Sequence, residues 1–158
     1  MTKLTQEQID ALIAKIKKHP FKVLVEEVDL GPLDGAPTIA ADVEKTDVTL
    51  YETGSEVQAS YLTKNNLKLT VNTRHVEEAM KLHSAYKKGD NVYASANSKQ
   101  VSLVPITEDE TAKSITFPNA FLEPGMEYTP NENDAPHSVK LEFTCKPDAT
   151  TGVPFKYE

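Results

Sequence analysis

The stretch HSVKLEFTCKPD, residues 137–148, alternates apolar and polar side chains almost without interruption. Successive side chains on a strand point to opposite faces. Val139, Leu141, Phe143 and Cys145 therefore form one row, and Lys140, Glu142, Thr144 and Lys146 the other. The first row needs cover; the second tolerates water or a polar neighbour. A chain built around such a strand must make a sheet with one buried face, and the rest of the sequence has to provide the cover.

Most of it reads as further strands. FKVLVEEV (21–28), DVTLYE (47–52), LKLTVN (67–72), KQVSLVP (99–105) and SITFPNAFL (114–122) are strand candidates, with NVYASA (91–96) expected to pair with 99–105 across Asn97-Ser98. Pro118 marks a bulge or an edge position, because proline donates nothing to a ladder. The segment 29–46, broken by Gly31, Pro32, Gly35 and Pro37, reads as a long loop or arm with a short strand near Thr38–Ala41. Residues 123–136, rich in turn formers, are expected to loop out.

Two helices are expected. Over residues 5–19, Thr5 and Gln8 make a capping box, and Leu4 with Ile9 fits a hydrophobic staple. Ile9, Leu12, Ile13 and Ile16 then recur at helical spacing, lysines gather at the end, and Pro20 stops the run. This stripe must be covered either by the chain's own sheet or by another subunit. The second helix covers about 74–88, with Val76, Met80, His83 and Tyr86 or Lys87 on one side and Gly89 as its left-handed cap. Strands and helices do not alternate, so a parallel sheet is not expected. The expected fold is mainly β (α+β): an antiparallel β-sandwich or barrel with one packed helix plus an N-terminal helix. One domain spanning 1–158 is expected, with a β-rich body from residue 21.

Charge narrows the partners. The net charge of -7 is uneven: residues 26–56 carry nine acids against Lys45 alone, and residues 1–22 carry five lysines against Glu7 and Asp10. Outside the first helix there is no basic stripe, so specific nucleic-acid binding is not expected. No apolar run approaches the ~18 residues of a membrane span. MTKLTQEQID lacks an apolar signal core, and the single cysteine suits a reducing compartment, so synthesis in a cytoplasm is expected.

Chemistry leaves little trace. His19, His75, His83 and His137 form no H-E-x-x-H pair, and His75 and His83 stand about 12 Å apart along a helix, too far to share an ion. Asp29 and Asp34-Gly35 lack the calcium-loop register, and Asn131, Asn133 and Asp134 read as turn residues. Cys145 falls in the apolar row, where a thiol is inert. Neither a nucleophile elbow nor a phosphate-binding glycine loop is present in the sequence. No catalytic residue, metal ligand or cofactor is expected, and no enzyme.

From Asp47 onward the order of elements carries a resemblance. DVTLYETGSEVQASYLTKNNLKLTV, RHVEEAMKLH, NVYASANSKQVSLVP, ITFPNAFLEPG and HSVKLEFTCKPD follow one another in a pattern similar to the tail tube proteins of long-tailed bacteriophages. The N-terminal helix lies outside it. The resemblance implies a structural subunit of a phage or prophage tail. Such subunits join sheets edge to edge into homo-oligomeric, commonly hexameric, rings that stack with other tail proteins. It also implies a place in a virion, an acidic wall along which DNA slides without sticking, and arms (29–46, 123–136, 148–158) that order on assembly. The alternative is a β-sandwich module binding a carbohydrate or protein, which requires Tyr51, Tyr61, Tyr86, Tyr93 and Tyr128 to cluster.

Overall fold

A computed structural model describes residues 3–130 and 134–158. In chain order its strands are β1 (Phe21–Val25), β2 (Val28–Asp29), β3 (Thr38–Thr49), β4 (Val57–Thr73), β5 (Lys99–Pro105), β6 (Ile115–Leu122), β7 (Glu127–Thr129), β8 (Ser138–Cys145) and β9 (Lys156–Tyr157). Every pairing is antiparallel, and the strands make one sheet in the order β2-β1-β5-β6-β8-β4-β3, with β7 beside β8 and β9 beside β6. Two α-helices accompany it, α1 (Gln6–Ile13) and α2 (Val76–His83). The expected mainly β, antiparallel fold is thus observed, as a sheet that does not close.

The apolar row of β8 is fully buried: Val139, Leu141, Phe143 and Cys145 all lose their solvent. Register explains how the rest of the cover assembles. Leu69 and Val71 of β4 lie opposite Phe143 and Leu141, so they share that face. Phe117, Ala120 and Leu122 of β6, Val101 and Leu103 of β5, and Val23 and Val25 of β1 extend the same core around the sheet. Ala79 of α2 seals it, with Val76, Leu82 and Tyr86 packed alongside.

The two outer edges of the sheet are tied by a strap. After β2, Leu30 N–H still donates to Val23 of β1, at 2.9 Å. Three residues later Leu33 bridges Thr73 on the outer side of β4, and Asp34 N–H donates to Asn72, at 2.8 Å. The Gly31–Pro32 bond between them is cis. Thr73 is the inner fastening: its buried hydroxyl donates to the Leu30 carbonyl and accepts from His75 N–H. Arg74 is the outer one, pairing with Asp34 at 2.9 Å while its N–H donates to Pro32.

Several expectations are corrected. Residues 21–28 are a hairpin, turned by Glu26 and Glu27 at φ 49° and 70°. Segment 29–46 is no loop beyond Pro37, because β3 pairs with β4 along its length. Residues 91–96 form turns and part of a short 3-10 helix, held by Asn91 Oδ1 on Tyr93 N–H and by the Asn97 amide on the Asn91 carbonyl. Helix α1 stops at Ile13 instead of residue 19: with none of its residues buried, no packing offsets the cost of its last turns. Helix α2 covers 76–83, not 74–88, and it buries Ala79 where Met80 was expected to lead; Gly89 lies beyond it, in a turn. The 123–136 segment contains β7, and the 148–158 tail is tied to β6 through β9, with Pro154 buried. The bulge at Pro118 is observed: between two matched pairs β6 places two residues, Pro118 and Asn119, where β5 places one, Gln100.

Candidate self-association surfaces

β4 outlasts its inner neighbour. Its pairing with β8 begins at Leu67, so residues 57–66 are supported by β3 alone. At about 3.3 Å per residue this makes a two-stranded arm about 30 Å long. Isolated two-stranded ribbons are marginal in water because neither face is covered. The arm is correspondingly sticky. Val48 and Tyr61 share one face through the pairs Val48–Ala59 and Thr46–Tyr61, and Leu62 lies on the other, opposite Lys45. These residues are exposed, as are Val43, Leu50 and Val57, and Tyr51 at the turn is 97% exposed. Five acids, Asp42, Glu44, Asp47, Glu52 and Glu56, accompany Lys45 and Lys64, so the arm is acidic as well as apolar. Among the described residues no strand pairs with the outer edge of β3.

Helix α1 is the second such surface. Its capping box forms as expected, with Thr5 Oγ1 accepting from Gln8 N–H at 3.2 Å and the Gln8 side chain accepting from Thr5 N–H at 2.9 Å. The stripe is nonetheless uncovered: Ile13 and Ile16 are 56% and 63% exposed, and Leu4, Ile9 and Leu12 are exposed too. Packing on the chain's own sheet, one of the two expected covers, does not occur.

The polar face of the sheet is the third. Lys64 meets Asp42 at 3.0 Å, which raises the lysine pKa through that hydrogen bond, and Lys140 meets Glu142 at 3.5 Å. Thr144 was expected to face lumen or solvent, but it is buried. The 84–98 connection brings Tyr93 over this face, where its hydroxyl donates to Glu123 at 2.5 Å and its ring stands edge-on to Phe121. Lys146 lies 3.9 Å above the Tyr93 ring, a cation–π contact. Glu123 also accepts from Thr144. The hydrogen bond to Glu123 raises the Tyr93 pKa. This face mixes Lys64, Lys68 and Lys146 with Asp42, Glu123 and Glu142.

The remaining candidates disperse. His19 sits 3.7 Å from Asp109, His75 precedes α2, His83 bonds the Pro124 carbonyl and His137 bonds the Tyr128 hydroxyl at 2.7 Å. Among the described residues no three His, Cys, Asp or Glu side chains gather as a metal site; Asn131 and Asn133 lie outside those residues. Burial pushes the Cys145 thiol up to about 12. Hydrogen bonds from Thr111 lower the Asp109 carboxyl pKa. The five tyrosines do not converge: Tyr51 and Tyr61 sit on the arm, Tyr86 bonds the Leu122 carbonyl, Tyr93 bonds Glu123 and Tyr128 bonds His137. No helix among the described residues is long and apolar enough to cross a membrane.

No family model matches the sequence, and no curated protein does. Solved structures do match the fold. A chain of the PVC sheath–tube complex, from an extracellular contractile injection system in its extended state, superposes with a TM-score of 0.57 at 10% identity, over 99% of either chain. A chain from the PVC sheath/tube terminator in the extended state gives 0.57 at 10% identity, over 90% of this chain and 96% of that one. One from the anti-feeding prophage cap, which terminates the tube, gives 0.54 at 10% identity over 90% of each. The tail-related resemblance read from the strand order therefore holds at the level of the fold, which this chain shares with components of tail-like particles.

Proposed function

We propose that the chain is a structural subunit of a phage-tail-type particle, a ring-forming protein of the tube or its ends. The observation that carries this reading is the open sheet: a twelve-residue edge strand, β3, runs into an arm covered on neither face. An edge strand offers unpaired N–H and C=O groups to a neighbour. The opposite edge, β2 and β1, belongs to the same sheet, so a contact from one edge to the other is heterologous and closes into a ring when the rotation fits. Six copies is the expected ring order, with other tail proteins stacked above and below and the particle as the place of residence. The work is assembly, not turnover, and no cofactor or sequence-specific nucleic acid is required.

Negative-stain electron microscopy of the concentrated protein tests this, in parallel with Val48→Lys, which charges the arm without touching the core. Rings from the parent chain and none from the variant are expected. A protein that stays monomeric at millimolar concentration, with β3 amides exchanging as free edge amides, would refute the reading.

A further inference from the structure

We infer that α1 docks its apolar stripe into a groove on the neighbouring copy, where the open sheet gapes between its two edges. The inference rests on the self-assembly proposed above. Beyond the strap the edges diverge, leaving an open groove of about 1090 Å³. Phe21, Leu103, Ile106 and Ile115 line one wall, and Leu33 and Ile39 the other. It is thus the uncovered end of the hydrophobic core, and an amphipathic helix laid into an apolar groove is a recurrent way to cover such a surface. The chain carries one matching element: Ile9, Leu12 and Ile13 on one face of α1, with Ile16 three residues past its end, all exposed.

Charge favours the same pairing. The wall containing Ile106 and Thr107 leads directly into Glu108, Asp109 and Glu110, all exposed; Asp109 already has His19 of its own chain at 3.7 Å, which leaves Glu108 and Glu110, with Asp29 in the groove, to meet incoming cations. Lys15 and Lys18 follow the helix, at the end of its stripe.

Chain geometry assigns the helix to another copy. His19 and Pro20 already line the groove, and the Pro20 carbonyl is pinned by Ile106 N–H at 2.7 Å. Bringing Ile16 back over its own groove requires a reversal within Lys17, Lys18 and His19. The residue before a proline favours extended backbone, and in the structure α1 has no buried residue while no residue before His19 lines the groove. The helix therefore leads away from its own body.

Single-cysteine exchange tests the docking, since Ile13 and Ile106 are both 56% exposed and Cys145 is buried. Ile13→Cys is mixed with Ile106→Cys at assembling concentration and oxidised. Ala11→Cys, on the opposite side of the helix, and Tyr51→Cys, at the arm tip, replace Ile13→Cys as controls. Mixed disulfide dimers are expected to form at least about tenfold faster with Ile13→Cys than with either control, a difference of about 1.4 kcal/mol in barrier. Equal rates overturn the docking. So does faster coupling from Tyr51→Cys, which puts the arm tip in the groove. So does an intramolecular disulfide in the double variant without mixed dimers, which puts the helix on its own body. Micrographs of the same samples separate the two proposals: rings without the Ile13 preference sink the docking and leave ring assembly standing, whereas absence of rings counts against assembly whatever the cross-links show.

Discussion

β8 and β3 pair with the same strand, β4, from opposite sides, yet they live in different environments. Every side chain of β8 is at least half-buried and Val139, Leu141, Phe143, Thr144 and Cys145 are buried outright, whereas β3 is exposed at every residue except Asp42. β8 is satisfied by its own chain. β3 has backbone pairing on one edge and nothing over its faces. Two strands can thus have the same secondary structure and opposite energetic standing, and the difference marks where the chain's own cover ends.

The sharpest way to break this comparison is to cut a cavity on the β8 side. Phe143→Ala should cost about 3–5 kcal/mol in denaturant unfolding, enough to unfold a marginal domain; a loss below 1 kcal/mol would mean that β8 does not anchor the core. Next comes the strap. Thr73→Val leaves the Leu30 carbonyl and His75 N–H without their buried partner, so about 1–3 kcal/mol should be lost, with faster amide exchange at Asp34.

A pH titration adds a third measurement on the buried side. The Cys145 pKa lies above its unfolded value, so the neutral thiol favours the folded chain. Its contribution is intact below about pH 9 and declines as pH rises toward 12, at about 1.4 kcal/mol per pH unit. Tyr86 and Tyr93, also raised, act with the same sign at higher pH. Cys145→Ala should flatten the first part of that alkaline decline, as chemical denaturation at stepped pH would reveal.

On the exposed side the expected effects are small by the same measure. Val48→Lys should change monomer stability by no more than about 0.5 kcal/mol while abolishing rings. Thr5→Ala removes the cap of α1 and destabilises that helix by about 1 kcal/mol, yet the global melting transition should not move, because nothing in the body leans on it. A shift in that transition would show that α1 is already packed in the isolated chain.

Where burial is one-sided, the sequence is readable. The alternation of 138–145 follows from side chains that must choose a face, and the bulge at Pro118 from a residue with no N–H to give the ladder. Where burial is missing, the signal weakens. In TIAADVEK, Ile39, Ala41 and Val43 alternate but all stay exposed, and behind Gly31, Pro32, Gly35 and Pro37 most of that strand reads as loop. The turn at Glu26-Glu27 is invisible for another reason: two glutamates with positive φ are not turn chemistry, and the surrounding ladder imposes the conformation. In 91–96 the Val and Tyr imitate a strand, but Asn91 and Asn97 close local hydrogen bonds first. The α1 stripe is legible as a stripe, while its cover lies outside the chain's own contacts.

The strap from Leu30 to Asp34 spans the gap between the outer edges with a fixed number of residues. In a closed circle of copies, that span acts as a wedge: it sets the angle each subunit subtends, and so how many are needed to come full circle. One residue more or less between Gly31 and Asp34 would then alter the bore of the assembly, and with it the groove wall that Leu33 supplies.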